Sequence, residues 1–165
     1  MDSSEQLISI LEKIRPQLEA ISESEAKATP APGKWSKAQI LGHLVDSAIN
    51  NIGRFIRSQK TQDMLFDGYD QEFWVDAQNY QDEDWKDVIN LFVSINMRIA
   101  KVTAKIPSDI MTMPRENHSI SWHLYADKKN EDPFTLEFLV WDYIAHVENH
   151  LKQIITDYQP IVLKV

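Results

Sequence analysis

Apolar residues recur along the chain at steps of three and four, and four stretches carry that helical spacing. The first runs from about Ser4 to Ser24 through Leu7, Ile8, Leu11, Ile14, Leu18 and Ile21. Pro16 lies inside it, and its missing amide and ring clash predict a kink near Ile14 or a short helix followed by another. Thr29-Pro30-Ala31-Pro32-Gly33 then reads as a stiff linker. The second stretch opens at Ser36-Lys37-Ala38-Gln39, a capping-box pattern with Trp35 before it as a hydrophobic staple. It continues to about Ser58 through Ile40, Leu41, Leu44, Ala48, Ile52, Phe55 and Ile56. The third starts at Asp82-Glu83-Asp84, whose charges suit a helix N-terminus, and passes through Val88, Leu91, Phe92, Ile95, Ile99, Val102 and Ile106 to Pro107. The fourth follows Thr135 as N-cap and extends to about Tyr158, before Pro160.

Two long connections separate the later stretches. Residues 63–85 hold eight carboxylates and neither Lys nor Arg, interleaved with Phe66, Tyr69, Phe73, Trp74, Tyr80 and Trp85, which fits a partly packed connection with a solvated acidic face. That stretch lacks the alternating ligands, central Gly and closing Glu of a calcium-binding EF-hand loop. Residues 107–133 suit either a short hairpin or an irregular loop. Four amphipathic stretches without a strand pattern predict an all-α fold, a four-helix bundle with long connections after its second and third helices. Those connections leave room for crossovers in place of a simple up-down order.

Composition narrows the function. A chain of 165 residues supports one domain, taken as residues 1–165. Only 4 Gly argues against an all-β protein and against a Gly-rich phosphate loop. The formal charge of −8 disfavours nucleic acid as a partner. With no Cys, a metal site must be built from His, Asp or Glu. The N-terminus lacks the features of a signal peptide and no window is long and apolar enough for a membrane span, so the expected location is the cytoplasm.

Of the five histidines, His146 and His150 stand four apart on the fourth helix, on one stripe with Cβ atoms about 6 Å apart, close enough to bind one metal ion. His43 sits among core-type residues in Gln39-Ile40-Leu41-Gly42-His43-Leu44-Val45-Asp46. Taken alone, it reads equally well as a core histidine satisfied by a hydrogen bond. Three histidines on inward faces of two long helices favour a shared metal, because an apolar core offers few acceptors. His118 and His123, in the third connection, read as surface histidines, with a place at the pocket rim or in a second metal site as the alternative.

Several blocks resemble the DinB/YfiT-like metalloenzymes over nearly the whole chain. They are Trp35-Ser36, Ile40-Leu41-Gly42-His43-Leu44-Val45-Asp46-Ser47, Arg54, Thr135-Leu136-Glu137, and the run from Asp142 through His146 and His150 to Ile154. Tyr69-Asp70, Trp74-Val75 and the Asn96-containing third helix extend the likeness. The resemblance implies a four-helix bundle in which His43, His146 and His150 bind a divalent metal, zinc or nickel, and it implies a homodimer.

Three neutral nitrogen ligands leave a coordination position open, as in catalytic sites. A water there gives a hydrolase acting on a small molecule, and a thiolate there gives a transferase or isomerase using a low-molecular-weight thiol. The resemblance implies both activities. A third reading is a non-catalytic, metal-stabilised dimerising module, to which exposed aromatics such as Trp74 or Trp85 would belong. Asp142, one turn before His146, suits a partner for a ligand histidine or a general base, and equally a surface carboxylate. Asp46 and Asn50 lie near His43 around the helix and point toward the same pocket in this reading. Arg54 reads as a salt bridge to the acidic connection, or as a group orienting an anionic substrate. Glu148 and Asn149 face away from the ligand stripe.

Overall fold

The computed structural model describes residues 2–119 and 134–161. Among them are seven helices and no strand: α1 Ser3–Glu19, α2 Glu23–Lys27, α3 Lys37–Arg57, α4 Gln71–Gln78, α5 Trp85–Thr103, α6 Ser108–Met111 and α7 Leu136–Ile154. The four long helices α1, α3, α5 and α7 form the expected bundle, and the short ones belong to its connections. No described helix is long and apolar enough to cross a membrane.

Local chemistry sets most boundaries. Ser36 opens α3 with the capping box read from the sequence: its hydroxyl accepts from the Gln39 amide at 3.2 Å, and Gln39 Oε1 accepts from the Ser36 amide at 3.0 Å. Asp84 and Thr135 cap α5 and α7. Of the acidic cluster at 82–84, only Asp84 stands at the helix start, and α5 stops at Thr103, before Ile106. Pro16 does not split α1, which runs through it and ends at Glu19, with α2 following after a break. A proline so near the C-terminus disturbs only the last turn, and the Gln17 side chain donates to the Lys13 carbonyl there at 2.9 Å.

The acidic connection holds a helix the sequence pattern did not show. Asp70 caps α4 by accepting from the Phe73 amide at 3.0 Å, and Asn79 ends it in the left-handed region at φ 53°. Eight residues give too short a window for helical periodicity to be read. The third connection is described only as far as residue 119, where α6 and isolated bridges joining Met64 to His118 and Arg115 to Phe134 are found. The remainder, with Trp122, His123 and Tyr125, lies outside the described residues.

Around the bundle, α3 packs on α5 and α7, and α1 packs on the same two helices. Side-chain bonds fix the directions. The Ser36 hydroxyl at the start of α3 donates to Gln81 just before α5, while Arg115, beyond the end of α5, donates to the Ser58 carbonyl at the end of α3. Helices α3 and α5 therefore run parallel, and the connection between them must return along the bundle, which is why it is long. Arg115 is buried, and its guanidinium donates to the carbonyls of Thr61, Ser58 and Ile110, where the C-terminal end of α3 concentrates negative dipole.

The returning chain docks on α3 through Tyr80. Its ring lies over Gly42 so closely that an added Cβ would meet ring atoms at 2.1–2.7 Å, and its hydroxyl donates to Asp46 Oδ1 at 2.8 Å. Some apolar positions assigned to the core are exposed, Ile56 at 50% and Leu91 at 47%. Trp85, proposed as an exposed aromatic, is buried with its indole N–H donating to the Leu18 carbonyl at 3.1 Å; Phe73 is the exposed one, at 66%.

Candidate metal centre

Helices α3 and α7 run antiparallel, so the N-terminal part of one faces the C-terminal part of the other. That arrangement brings His43 of α3 against His146 and His150 of α7. Each of the three offers one ring nitrogen such that all three lie within 4.8 Å of one another. The ring centroids are 5.3 Å apart for His43 and His146, 4.9 Å for His43 and His150, and 4.7 Å for His146 and His150. All three pairs meet edge to face.

Burial sets their charge state. Desolvation lowers the pKa of His43 to about 4, with the nearby His150 adding repulsion. His146 is pushed well below its ordinary value by burial and then by the other two rings. His150 is lowered by burial, against a Gln153 side-chain hydrogen bond that pulls the other way. At neutral pH the cluster is three neutral imidazoles, the form that binds a metal.

The distances suit an ion. Two nitrogens each about 2.05 Å from one tetrahedral ion stand about 3.3 Å apart, and His43 Nε2 and His146 Nε2 are 3.3 Å apart. His43 Nδ1 is buried with no hydrogen-bond partner among the described residues. The donor set thus fits a divalent transition-metal ion, for which imidazole is a suitable ligand.

The surroundings hold the rings. The Ser47 hydroxyl lies 3.3 Å from His146 Nδ1 and takes a hydrogen bond from Asn51 Nδ2 at 3.3 Å. If His146 Nε2 is the acceptor, Nδ1 carries the proton and donates it to Ser47. Trp35, read from the sequence as a staple, also packs its ring 5.3 Å from that of His43. Ser47 was not singled out as functional in the sequence, although a hydroxyl one turn after His43 is the signal that finds it.

Other candidates fall elsewhere. Asp142 is buried one turn before His146. Asp46 turns to the returning connection, with Oδ1 accepting from Tyr80 and from Gln78 Nε2 at 3.0 Å, and Asn50 donates to the Asp46 carbonyl at 2.8 Å. Neither joins the imidazoles, because the connection packs on that side of α3. Arg54 has no ion pair with a carboxylate among the described residues; it donates to the Asp67 carbonyl at 3.1 Å and lies over the Phe66 ring at 5.4 Å. His118 is apart from the cluster, stacked on Phe134 at 4.4 Å. Glu148 is buried and accepts from the Tyr158 hydroxyl at 2.6 Å and the Ile161 amide at 2.7 Å, fastening the C-terminal segment.

A cavity of about 470 Å³ lies one side chain away from the cluster, lined by residues that include Lys34, Trp35, Lys37, Ile40, Glu72 and Gln153 but none of the three imidazoles. Trp35 and Gln153 belong to both, since one packs on His43 and the other bonds to His150.

Comparison with known proteins gives a family and a fold. The profile of the DinB superfamily matches residues 6–154. Among solved structures, YfiT from Bacillus subtilis superposes with a TM-score of 0.68 at 19% identity, covering 92% of this chain and 83% of that one. That protein is described as a probable metal-dependent hydrolase with an unusual four-helix bundle topology. A search of curated proteins finds no match.

Proposed function

The chain belongs to the DinB superfamily, and from that premise we propose that it is a metal-dependent hydrolase of small molecules. His43, His146 and His150 hold the ion, zinc or nickel. The observation that carries this reading is the convergence of three neutral imidazoles from two helices, with one nitrogen of each within 4.8 Å of the others and one pair at 3.3 Å. The description of YfiT as a probable metal-dependent hydrolase supports it.

Three nitrogen ligands leave a four-coordinate ion one position for a visitor. A divalent ion there supplies Lewis acidity, polarising a carbonyl or related oxygen and acidifying water near neutral pH. The chain's own residues do the positioning. Ser47 fixes the tautomer and orientation of His146, and Trp35 shields His43 on one side. Asp142, buried on α7 one turn before His146, is assigned as the general base.

The test starts with metal-stripped protein. Reloading with zinc or nickel should give about one ion per chain, and loaded protein should hydrolyse members of a small ester and amide panel without any thiol. Failure to take up stoichiometric metal overturns the reading. Turnover that appears only with a low-molecular-weight thiol overturns hydrolysis and moves the site to thiol transfer.

A further inference from the structure

The cavity beside the imidazoles carries its own chemical signature. Trp35 and Ile40 give it apolar walls, and its volume of about 470 Å³ falls within the usual range for small-molecule sites. At roughly 30 Å³ per water, it matches about sixteen waters. Three charged side chains line it: Lys34, Lys37 and Glu72. Lys37 is already matched, with its ammonium 2.6 Å from Glu25 Oε1. Lys34 makes no ion pair among the described residues, and neither does Glu72. The lining therefore presents one uncommitted cation and one uncommitted anion around an apolar space.

A purely anionic ligand would meet Lys34 at the cost of repulsion from Glu72, and a purely cationic ligand would meet the reverse. A molecule bearing one of each charge satisfies both. We propose that this cavity is the substrate chamber of the metal site and takes a small ampholyte, an apolar body carrying a carboxylate for Lys34 and an ammonium for Glu72. The assignment as a substrate chamber rests on the function proposed above; the charge selection rests on the lining alone. Trp35 and Gln153 line the cavity and contact His43 and His150, so they connect it to the imidazoles.

Three fluorinated probes of one shape test this by fluorine NMR titration: 4-fluorophenylalanine, 3-(4-fluorophenyl)propionate and 4-fluorophenethylamine. In both zinc-loaded and metal-free protein, the amino acid should bind about tenfold tighter than either singly charged probe. Lys34→Gln should remove most of that advantage over the amine, and Glu72→Gln most of that over the propionate. Lys60→Gln, beyond the far end of α3, should change neither. With cobalt in place of zinc, the bound fluorine signal should broaden.

A singly charged probe that equals the amino acid, no binding by any probe at millimolar concentration, or an equal effect of Lys34→Gln and Lys60→Gln overturns the charge selection. A signal no broader with cobalt than with zinc overturns the chamber's link to the metal. If the protein takes up no ion, the metal reading fails by itself, and the probe ranking in metal-free protein still decides the ampholyte.

Discussion

His43 Nε2 and His146 Nε2 stand 3.3 Å apart although 103 residues separate them in the chain. Without an ion, one ring must donate to the other across that gap. With an ion, both lone pairs turn to a shared centre, and the distance already matches tetrahedral nitrogen ligands. The site needs little rearrangement to load, which follows from its being built on two packed helices and not on loops.

Removal of a ligand is the direct consequence to measure. His146→Ala should lower metal affinity by orders of magnitude while the circular-dichroism helix signal stays near that of the parent, because burial across the bundle supplies most of the stability. Stoichiometric metal in the dialysed variant would contradict the ligand assignment.

Ser47 should matter less, and in a distinctive way. Losing the group that orients a ligand imidazole commonly costs about 10–100-fold in metal affinity or activity. Ser47→Ala is therefore expected to weaken zinc binding by that factor in a competitive chelator titration, with the stoichiometry unchanged. Affinity equal to that of the parent would show that His146 is held by other contacts.

How far the sequence reached follows from which signals are local. The caps at Ser36, Asp84 and Thr135, and the four-residue step from His146 to His150, are written within single helices and could be read directly. His43 could be joined to His146 and His150 only through its inward face and the family resemblance, since the contact itself depends on α3 and α7 lying antiparallel. Helix α4 was too short to show a period, and the burial of Trp85 depends on the Leu18 carbonyl of another helix. Asp46 was aimed at the wrong neighbour because angle around α3 does not reveal that the returning connection covers that side.

Gly42 and Tyr80 make a prediction about packing. A Cβ at position 42 would stand 2.1 Å from a Tyr80 ring carbon, so Gly42→Ala must push the ring off α3 and stretch its bond to Asp46. Overpacking typically costs 1–3 kcal/mol and a buried hydrogen bond about 1 kcal/mol, so a loss of about 2–4 kcal/mol is expected in urea unfolding. Adding Tyr80→Ala to Gly42→Ala should cost less than the sum of the two single changes, since the clash is gone. Strict additivity would mean that the ring is not the obstacle.

The same Tyr80 contact bears on pH dependence through Asp46. Burial raises the Asp46 carboxyl pKa above its ordinary 3.8, and the hydrogen bonds from Tyr80 and Gln78 only partly oppose this. A carboxyl whose folded pKa is raised holds its proton more tightly in the native state. Its contribution to stability is then full below pH 3.8 and is lost as pH rises through the folded value. Asp46→Asn keeps an acceptor for Tyr80 but cannot ionise, so it lacks this loss. Urea unfolding at a series of pH values should therefore show the stability of the parent relative to Asp46→Asn falling as pH rises from about 3.8, the reference value. A difference that grows with pH would mean that the folded carboxylate is stabilised instead, with the hydrogen bonds outweighing burial.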